Sequence, residues 1–121
     1  MLSLPPSVRI FVYTQPADMR RGFDGLSAIV EQSLTQDPLS GHLFVFFNRR
    51  RDRTKILFWD RDGYALWYKR LERGTFELLR PVAADPDALP QLEITYRDLS
   101  MLLDGVDLSS VRRRRRYTRP A

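Results

Sequence analysis

The chain has 121 residues, of which 43 % are hydrophobic and none is cysteine, and its formal net charge is +5. This length predicts one domain with enough apolar material for a core. The lack of cysteine excludes disulfides and cysteine-based zinc sites, and a single histidine, His42, argues against a histidine metal site or a Ser-His triad.

The positive charge is concentrated at the C-terminal end. The whole chain has 20 cations and 15 acids. Residues 106–121 contain six of the cations, all arginine, and one of the acids, which leaves 14 cations and 14 acids in residues 1–105. We therefore predict a nearly neutral folded domain, residues 1–108, followed by a flexible, disordered tail, residues 109–121. Five consecutive arginines in this tail repel one another and cannot pack together.

The first predicted elements are a strand and a helix. Val8–Tyr13 alternates β-branched and aromatic residues, which is typical of a strand. Asp18 is a predicted helix cap. Gly22 and Gly25 each cost about 1 kcal/mol inside a helix, so we predict that the helix begins near Asp24 and that the glycines allow close approach to the sheet. Apolar side chains then recur at helical spacing: Phe23, Leu26, Ile29, Val30 and Leu34.

The next segments predict an antiparallel β-meander. Its strands are His42–Asn48, Ile56–Asp60 and Tyr64–Tyr68, and a fourth strand is predicted at Thr75–Arg80. Neighbouring residues in these strands are both apolar, whereas a sheet with one wet face would show a polar residue at every second position. Both faces of the sheet are therefore expected to be covered.

The two short predicted helices could cover one face of this sheet, and two alternatives then explain how the second face is covered. The sheet curls around itself, or another chain covers it. In the second case the contact face is one alternating set of large apolar side chains, which comes from Leu43, Val45, Phe47, Leu57, Trp59 and Trp67.

The end of the domain is predicted to contain a short extended segment and a helix. Leu92–Thr95 is the extended segment, and Thr95 with Asp98 forms a variant capping box. Gly105 is the expected helix stop. The whole order β-α-β-β-β-β-α predicts an α+β fold with about five strands and two short helices.

Four segments resemble a known family. They are DMRRGFDGL (18–26), GHLFVFFNRR (41–50), KILFWD (55–60) and LWYKRLE (66–72). Together they resemble the small accessory protein, TnpB, encoded by the second open reading frame of bacterial insertion sequences of the family numbered sixty-six. This family is distinct from the RNA-guided nuclease that shares its name. The resemblance implies a role in transposition beside a separate transposase, and it carries over no catalytic residues.

Two groups of cations are candidates for binding DNA phosphates. The first group lies in one hairpin connection and contains Arg49, Arg50, Arg51, Arg53 and Lys55, which a single Asp52 cannot neutralise. The second group lies in the tail and contains Arg112, Arg113, Arg114, Arg115 and Arg116. Guanidinium groups fit phosphates bidentately, and a polycation binds DNA by releasing counterions. The alternative is that the hairpin keeps a sheet edge soluble and that the tail only aids solubility.

No catalytic residue, cofactor or metal is predicted. Acids that could in principle hold magnesium are Asp18, Asp24, Asp52, Asp60 and Asp62. Asp60-Arg61-Asp62-Gly63, however, is typical of a turn. His42 is expected to be a surface or hydrogen-bonded histidine.

The sequence thus predicts a non-enzymatic, DNA-binding accessory protein of transposition. Its expected partners are DNA, through the phosphate backbone and with transposon ends as candidates, the transposase of the same element, and further copies of itself. The alternatives are a scaffold for the transposase without DNA binding, and a metal-dependent nuclease. No apolar run approaches the roughly 20 residues that span a bilayer, and the first residues lack a signal-peptide pattern, so we expect a cytoplasmic location and no membrane contact.

Overall fold

The computed structural model describes Pro5, residues 7–77 and 87–104, and the backbone of residues 106–107 and 112–113. The predicted α+β class and the order β-α-β-β-β-β-α are confirmed. Within the described residues, no helix is long and apolar enough to cross a membrane. The elements are β1 Ile10–Tyr13, α1 Phe23–Gln32, β2 Leu43–Phe47, β3 Arg53–Asp60, β4 Gly63–Arg70, β5 Gln91–Ile94, α2 Tyr96–Asp104, β6 Val106–Asp107 and β7 Arg112–Arg113.

Five strands form one sheet in the order β4-β3-β2-β1-β5, and β6 pairs with β7 separately. The β2–β3 and β3–β4 pairs are antiparallel hairpins, as predicted, and β5 lies antiparallel to β1. β1 and β2 are parallel, with Ile10 opposite Leu43. The prediction of a purely antiparallel sheet is wrong at this pair. The reason is that α1 lies in the connection between the two strands, and such a crossover returns the chain to the end where β1 began.

The last strand of the predicted order is β5, which overlaps the predicted extended segment Leu92–Thr95, rather than Thr75–Arg80. The first three residues of that segment belong to no strand, and the last three lie outside the described residues. Phe76 is 1 % exposed, its ring lies 5.6 Å from the Phe47 ring, and its backbone N–H donates to the carbonyl oxygen of Arg51 at 2.7 Å. Phe76 is thus a buried core residue that lies outside the strands.

Each face of the sheet carries one helix. On the first face, α1 packs against side chains of β1, β2, β3 and β4. The buried members of this cluster are Phe11, Ala17, Leu26, Val30, Leu34, Phe44, Phe46 and Leu57. On the second face, α2 covers the alternate side chains of the same strands; the buried members are Ile10, Val12, Leu43, Val45, Phe47, Ile56, Phe76, Leu99, Leu102 and Leu103. The expectation that both faces are covered is confirmed.

Two opposed helices replace both alternatives proposed for the second face. Neither curling of the sheet nor a partner chain is needed to explain why its strands are apolar on both sides. The predicted contact face is wrong for Leu43, Val45, Phe47 and Leu57, which are at most 3 % exposed. Trp59 and Trp67 are half-buried. The error came from placing both helices on one face.

The start of α1 differs from the prediction in its cap. Gly22 occupies the cap position and makes no side-chain cap bond. Asp18 lies earlier, where its carboxylate accepts the Arg20 backbone N–H at 2.9 Å and the Arg20 guanidinium at 2.7 Å. A Cβ on Gly22 would meet nothing within 4 Å, and one on Gly25 would first meet the Arg21 side chain. The predicted close approach of these glycines to the sheet is therefore wrong.

The predicted capping box of α2 is confirmed. The Asp98 backbone N–H donates to Thr95 Oγ1 at 3.1 Å, and the Thr95 N–H donates to Asp98 Oδ2 at 3.2 Å. At the other end of α2, Lys69 Nζ donates to the carbonyl oxygen of Leu103 at 3.1 Å, which places a cation at the negative end of the helix. The predicted stop, Gly105, lies outside the described residues.

Thr95→Ala should lower the free energy of unfolding by about 1 kcal/mol, because it leaves an N-terminal N–H of α2 without its acceptor. Chemical denaturation followed by circular dichroism measures the change. Thr75→Ala, at an exposed threonine outside any helix, is the matched control and should have less effect. Equal effects of the two substitutions would contradict the capping role.

Candidate nucleic-acid interface

The connection between β2 and β3 is a turn built around the side chain of Asn48. Its Oδ1 accepts the backbone N–H groups of Asp52 at 3.1 Å and Arg53 at 3.0 Å, and its Nδ2 donates to Asp52 Oδ1 at 2.6 Å. The Arg51 N–H donates to the Asn48 carbonyl oxygen at 3.1 Å. The Asn48 side-chain amide thus fixes the turn at Asp52 and Arg53, a role that sequence reasoning did not single out. The signal was present, since asparagine commonly bonds to backbone groups in turns.

The turn is also fastened to the segment that follows β4. The carbonyl oxygens of Arg51 and Asp52 accept the N–H groups of Phe76 and Leu71, both at 2.7 Å. Because Phe76 is buried, these bonds tie the turn to the core. Arg51 holds a positive φ of 57°, a conformation that costs a non-glycine residue about 1 kcal/mol or more. The arginines of the turn therefore project from a backbone with little freedom.

Asn48→Ala should unfold this arrangement. Asp52 has a pKa below its ordinary value, chiefly because Asn48 donates to its carboxylate, with further help from the charges of Arg53 and Arg50. Because the pKa is lower in the folded state, the ionised carboxylate of Asp52 stabilises the fold at pH values above its ordinary pKa of 3.8. This stabilisation is lost as the pH falls through the folded-state pKa. In the variant, the pKa of Asp52 should move back towards 3.8, as carboxyl titration by NMR will show. We also expect a loss of about 1–3 kcal/mol in unfolding free energy. An unshifted titration would contradict the assigned cause.

The predicted hairpin cations differ in exposure. Arg49 and Arg50 are exposed, and Arg51 and Arg53 are half-buried. Arg53 Nη1 donates to the Tyr68 hydroxyl at 3.3 Å. Among the described residues, no salt bridge joins Arg49, Arg50 or Arg51 to a carboxylate. Their guanidinium donors are thus available to an external anion.

Lys55, the fifth predicted hairpin cation, lies in the interior. It is 7 % exposed, and its Nζ donates to the carbonyl oxygens of Met19 at 2.6 Å and Arg21 at 2.9 Å. The ammonium also lies 4.8 Å from the centre of the Tyr68 ring. The expectation that Lys55 is an exposed cation of the hairpin is wrong. Its position in β3 directs the side chain towards the loop before α1. The residues it contacts there are at least 34 positions away in the sequence, so the local pattern does not reveal the contact.

Lys55→Met should destabilise the protein and leave DNA contacts of the folded state unchanged. Removing the ammonium leaves the Met19 and Arg21 carbonyl oxygens without their donor, and bonds to a charged group contribute about 1.5–3 kcal/mol each. Lys69→Met, which removes one such bond, is the matched comparison and should cost less. Urea denaturation measures both, and equal stability of Lys55→Met and the parent chain would refute the anchoring role.

Arg70 is a cation at this end of the sheet that sequence reasoning missed. It lies directly opposite Arg53 in the β3–β4 ladder, so both side chains leave the same face. Like charges placed directly opposite destabilise a sheet unless an anion lies between them. Arg70 Nη2 donates to Glu72 Oε1 at 3.1 Å, on the exposed surface. The predicted strand ended at Tyr68, two residues too early to reveal the pair.

A cleft of about 450 Å³ opens beside the turn. Its walls are the end of β1 with the residues that follow it, residues 47–51 of the hairpin, and residues 75–77. The exposed arginines thus stand at the rim of a concave surface, where they can approach a phosphate chain from one side.

The tail group falls largely outside the described residues. Only the backbone of Arg112 and Arg113 is described, and it pairs antiparallel with Asp107 and Val106. The flexible tail, and DNA binding by all five arginines from Arg112 to Arg116, stay predictions.

Among the candidate acids and the histidine, the side chains of Asp18, Asp52 and His42 form hydrogen bonds within the described part of the chain. No group of three His, Cys, Asp or Glu side chains there is placed to hold a metal ion. The pKa of Asp18 is lowered to about 2, mainly by the hydrogen bond from the Arg20 side chain. His42 Nδ1 accepts the Arg9 backbone N–H at 2.9 Å, as expected of a hydrogen-bonded histidine.

Comparison with known proteins places most of the chain in one group. A family model described as IS66 Orf2 like protein matches residues 8–113. The uncharacterized protein y4jC of Sinorhizobium fredii is 38 % identical over 114 residues, which cover 94 % of this chain and 92 % of that protein. The uncharacterized protein y4hO of the same organism is 38 % identical over 107 residues, which cover 88 % of each chain. No solved structure matches the chain significantly.

Proposed function

The chain belongs to the IS66 Orf2-like family of insertion-sequence accessory proteins, and from this membership we propose that it binds DNA and assists a separate transposase. The observation that supports the proposal is the turn between β2 and β3. It presents Arg49, Arg50 and Arg51 on a backbone fixed by Asn48, and no salt bridge in the described residues neutralises them.

The different environments of the lysine and arginine side chains support this assignment. The chain contains two lysines, Lys55 and Lys69, and all its other 18 basic residues are arginines. Both lysines donate to carbonyl oxygens inside the fold. The cations left for the surface are thus guanidinium groups, whose planar fork binds a phosphate through two hydrogen bonds at once.

The hairpin and the tail act together in this proposal. The hairpin is a rigid contact that sets the orientation of the protein on the duplex, and the tail supplies additional charge without a fixed geometry. Phosphate contacts of both kinds release counterions from DNA, which gives binding that weakens steeply with salt and carries little sequence information. Sequence selection and strand chemistry are assigned to the transposase.

The test is a titration of duplex DNA with the purified protein, alone and together with the transposase of its element. Fluorescence anisotropy on a transposon-end duplex and on a random duplex of equal length gives both affinities. We expect salt-sensitive binding of both duplexes by the protein alone, and tighter binding of the transposon end when the transposase is added. Co-purification with the transposase but no DNA binding by the protein alone would replace the proposal by the scaffold function. Cleavage that stops on chelation of magnesium would replace it by the nuclease function.

A further inference from the structure

β4 is an edge strand with an unusual capacity to pair. It pairs with β3 over eight consecutive residue pairs, from Arg53–Arg70 to Asp60–Gly63, with no bulge in the ladder. Its sequence, GYALWYKR, contains no proline. In the part of the chain that the structure describes, no strand pairs with its outer side. A long, regular, apolar edge of this kind is a template for another strand.

The usual protection of such an edge is weak here. Natural edge strands commonly place a solvated lysine on the edge to repel a second strand. Lys69 is half-buried and donates to the Leu103 carbonyl oxygen at 3.1 Å, so its charge is directed to the end of α2. The opposite edge strand, β5, has four residues, and its Glu93 forms a bidentate pair with Arg9. The two edges are therefore unequal, and β4 is the one that favours a partner.

We infer that β4 pairs antiparallel with β4 of a second copy of this chain, with Leu66 opposite Leu66. The two-fold axis that relates such strands is perpendicular to the sheet, and directly opposite residues must point to the same face. An axis at Leu66 places Tyr64 opposite Tyr68, Ala65 opposite Trp67, and Asp62 opposite Arg70.

This register matches side chains in size and charge. The Tyr64–Tyr68 pair brings two aromatic rings together. Tyr68 is 47 % exposed in the single chain. The Ala65–Trp67 pair sets a small side chain against the largest one. The Asp62–Arg70 pair joins opposite charges twice across the two-fold axis, and the exposed Arg70–Glu72 contact can be shared with it.

Neighbouring registers lack this match. An axis moved by one residue to Trp67 sets Tyr64 opposite Arg70 and Ala65 opposite Lys69, so that it joins no opposite charges. An axis moved the other way, to Ala65, sets Asp60 opposite Arg70 but also sets the like charges of Arg61 and Lys69 opposite one another. The backbone contribution is nearly the same in either register, since about eight N–H···O bonds form along strands of this length. Side-chain complementarity therefore decides for Leu66.

Single-cysteine variants test the strand and its register together. The chain has no cysteine, so each of five variants, at residues 64 to 68, carries a single thiol. A disulfide needs Cα atoms within about 7 Å, which an antiparallel two-fold pair offers only at or beside the axis. Under mild oxidation of the full-length protein, the covalent dimer on a non-reducing gel should be most abundant for Leu66→Cys and fall on both sides. Leu39→Cys, at a residue 51 % exposed and outside the sheet, is the control for random collision.

A charge swap gives a second readout that does not depend on the cysteines. Asp62→Arg and Arg70→Asp should each weaken the dimer about tenfold in analytical ultracentrifugation, because each sets like charges opposite one another at both ends of the joint. The double variant should recover most of the loss. The proposal fails if cross-linking peaks at another residue or equals that of the Leu39 control. It also fails if the double variant does not recover. A monomer whose Leu66→Cys thiol is shielded from reagents would show that another segment of the same chain covers β4, and would overturn the proposal.

Discussion

Arg49→Ser with Arg50→Ser should weaken binding to a random duplex by up to about fiftyfold at 0.1 M salt. Each phosphate contact contributes about 0.9 to the slope of log K against log salt, so two lost contacts reduce its magnitude by about 1.8. Both side chains are exposed, and neither has a salt bridge in the described residues. The melting temperature should therefore change little. Anisotropy titrations at several salt concentrations give the affinity and the slope together.

The matched control removes the same charge from the opposite end of the sheet. Arg61 lies in the turn that follows β3, and Arg97 lies in the first turn of α2; both are exposed. Arg61→Ser with Arg97→Ser should leave DNA affinity within a few-fold of the parent value. Adding Arg51→Gly to the hairpin pair should weaken DNA binding further and cost no stability at the backbone, because glycine accepts the φ of 57° without strain. Equal losses in the hairpin and control variants would mean that net charge, and not the hairpin, governs binding.

Deleting residues 110–121 should produce the largest change in salt dependence. The deletion removes six arginines, and the slope should lose up to about 5 in magnitude if each arginine neutralises one phosphate. Circular dichroism should remain that of the parent chain, because both helices and the five-stranded sheet lie before residue 105. An unchanged slope of log K against log salt for the truncated protein would contradict the role assigned to the tail.

A variant with lysine in place of all six tail arginines separates charge from guanidinium geometry. Counterion release depends on charge alone, so this variant should keep the parent slope. A loss of affinity at constant slope would show that the tail uses the bidentate geometry of arginine as well.

Local signals in the sequence were sufficient for several parts of the fold. The box formed by Thr95 and Asp98 spans four residues, and its chemistry does not depend on the rest of the protein. The three meander strands were recognised because aromatic and β-branched residues dominate them, although β3 and β4 extend beyond the predicted limits. The hairpin arginines were singled out because one acid cannot neutralise so many cations, and DNA binding by them stays a prediction.

Other parts depend on contacts between distant segments. The buried position of Lys55 depends on two carbonyl groups more than 30 residues away, and that of Phe76 depends on its hydrogen bond to the turn at Arg51. Neither contact leaves a periodic signal. The parallel β1–β2 pair follows from a helix in the connection, so it was within reach of the predicted element order. The position of each helix on its own face was missed because the apolar pattern of a strand does not say what covers it.

The most direct test of the proposed function is the salt dependence of DNA binding by the unmodified full-length protein. A random duplex labelled with a fluorophore is titrated at salt concentrations between 50 and 200 mM, and log K is plotted against log salt. We predict a straight line with a slope of about −5 or steeper, set by hairpin and tail arginines together. A slope near zero, or no binding at 50 mM salt with protein in the 100 μM range, would contradict DNA binding by this chain.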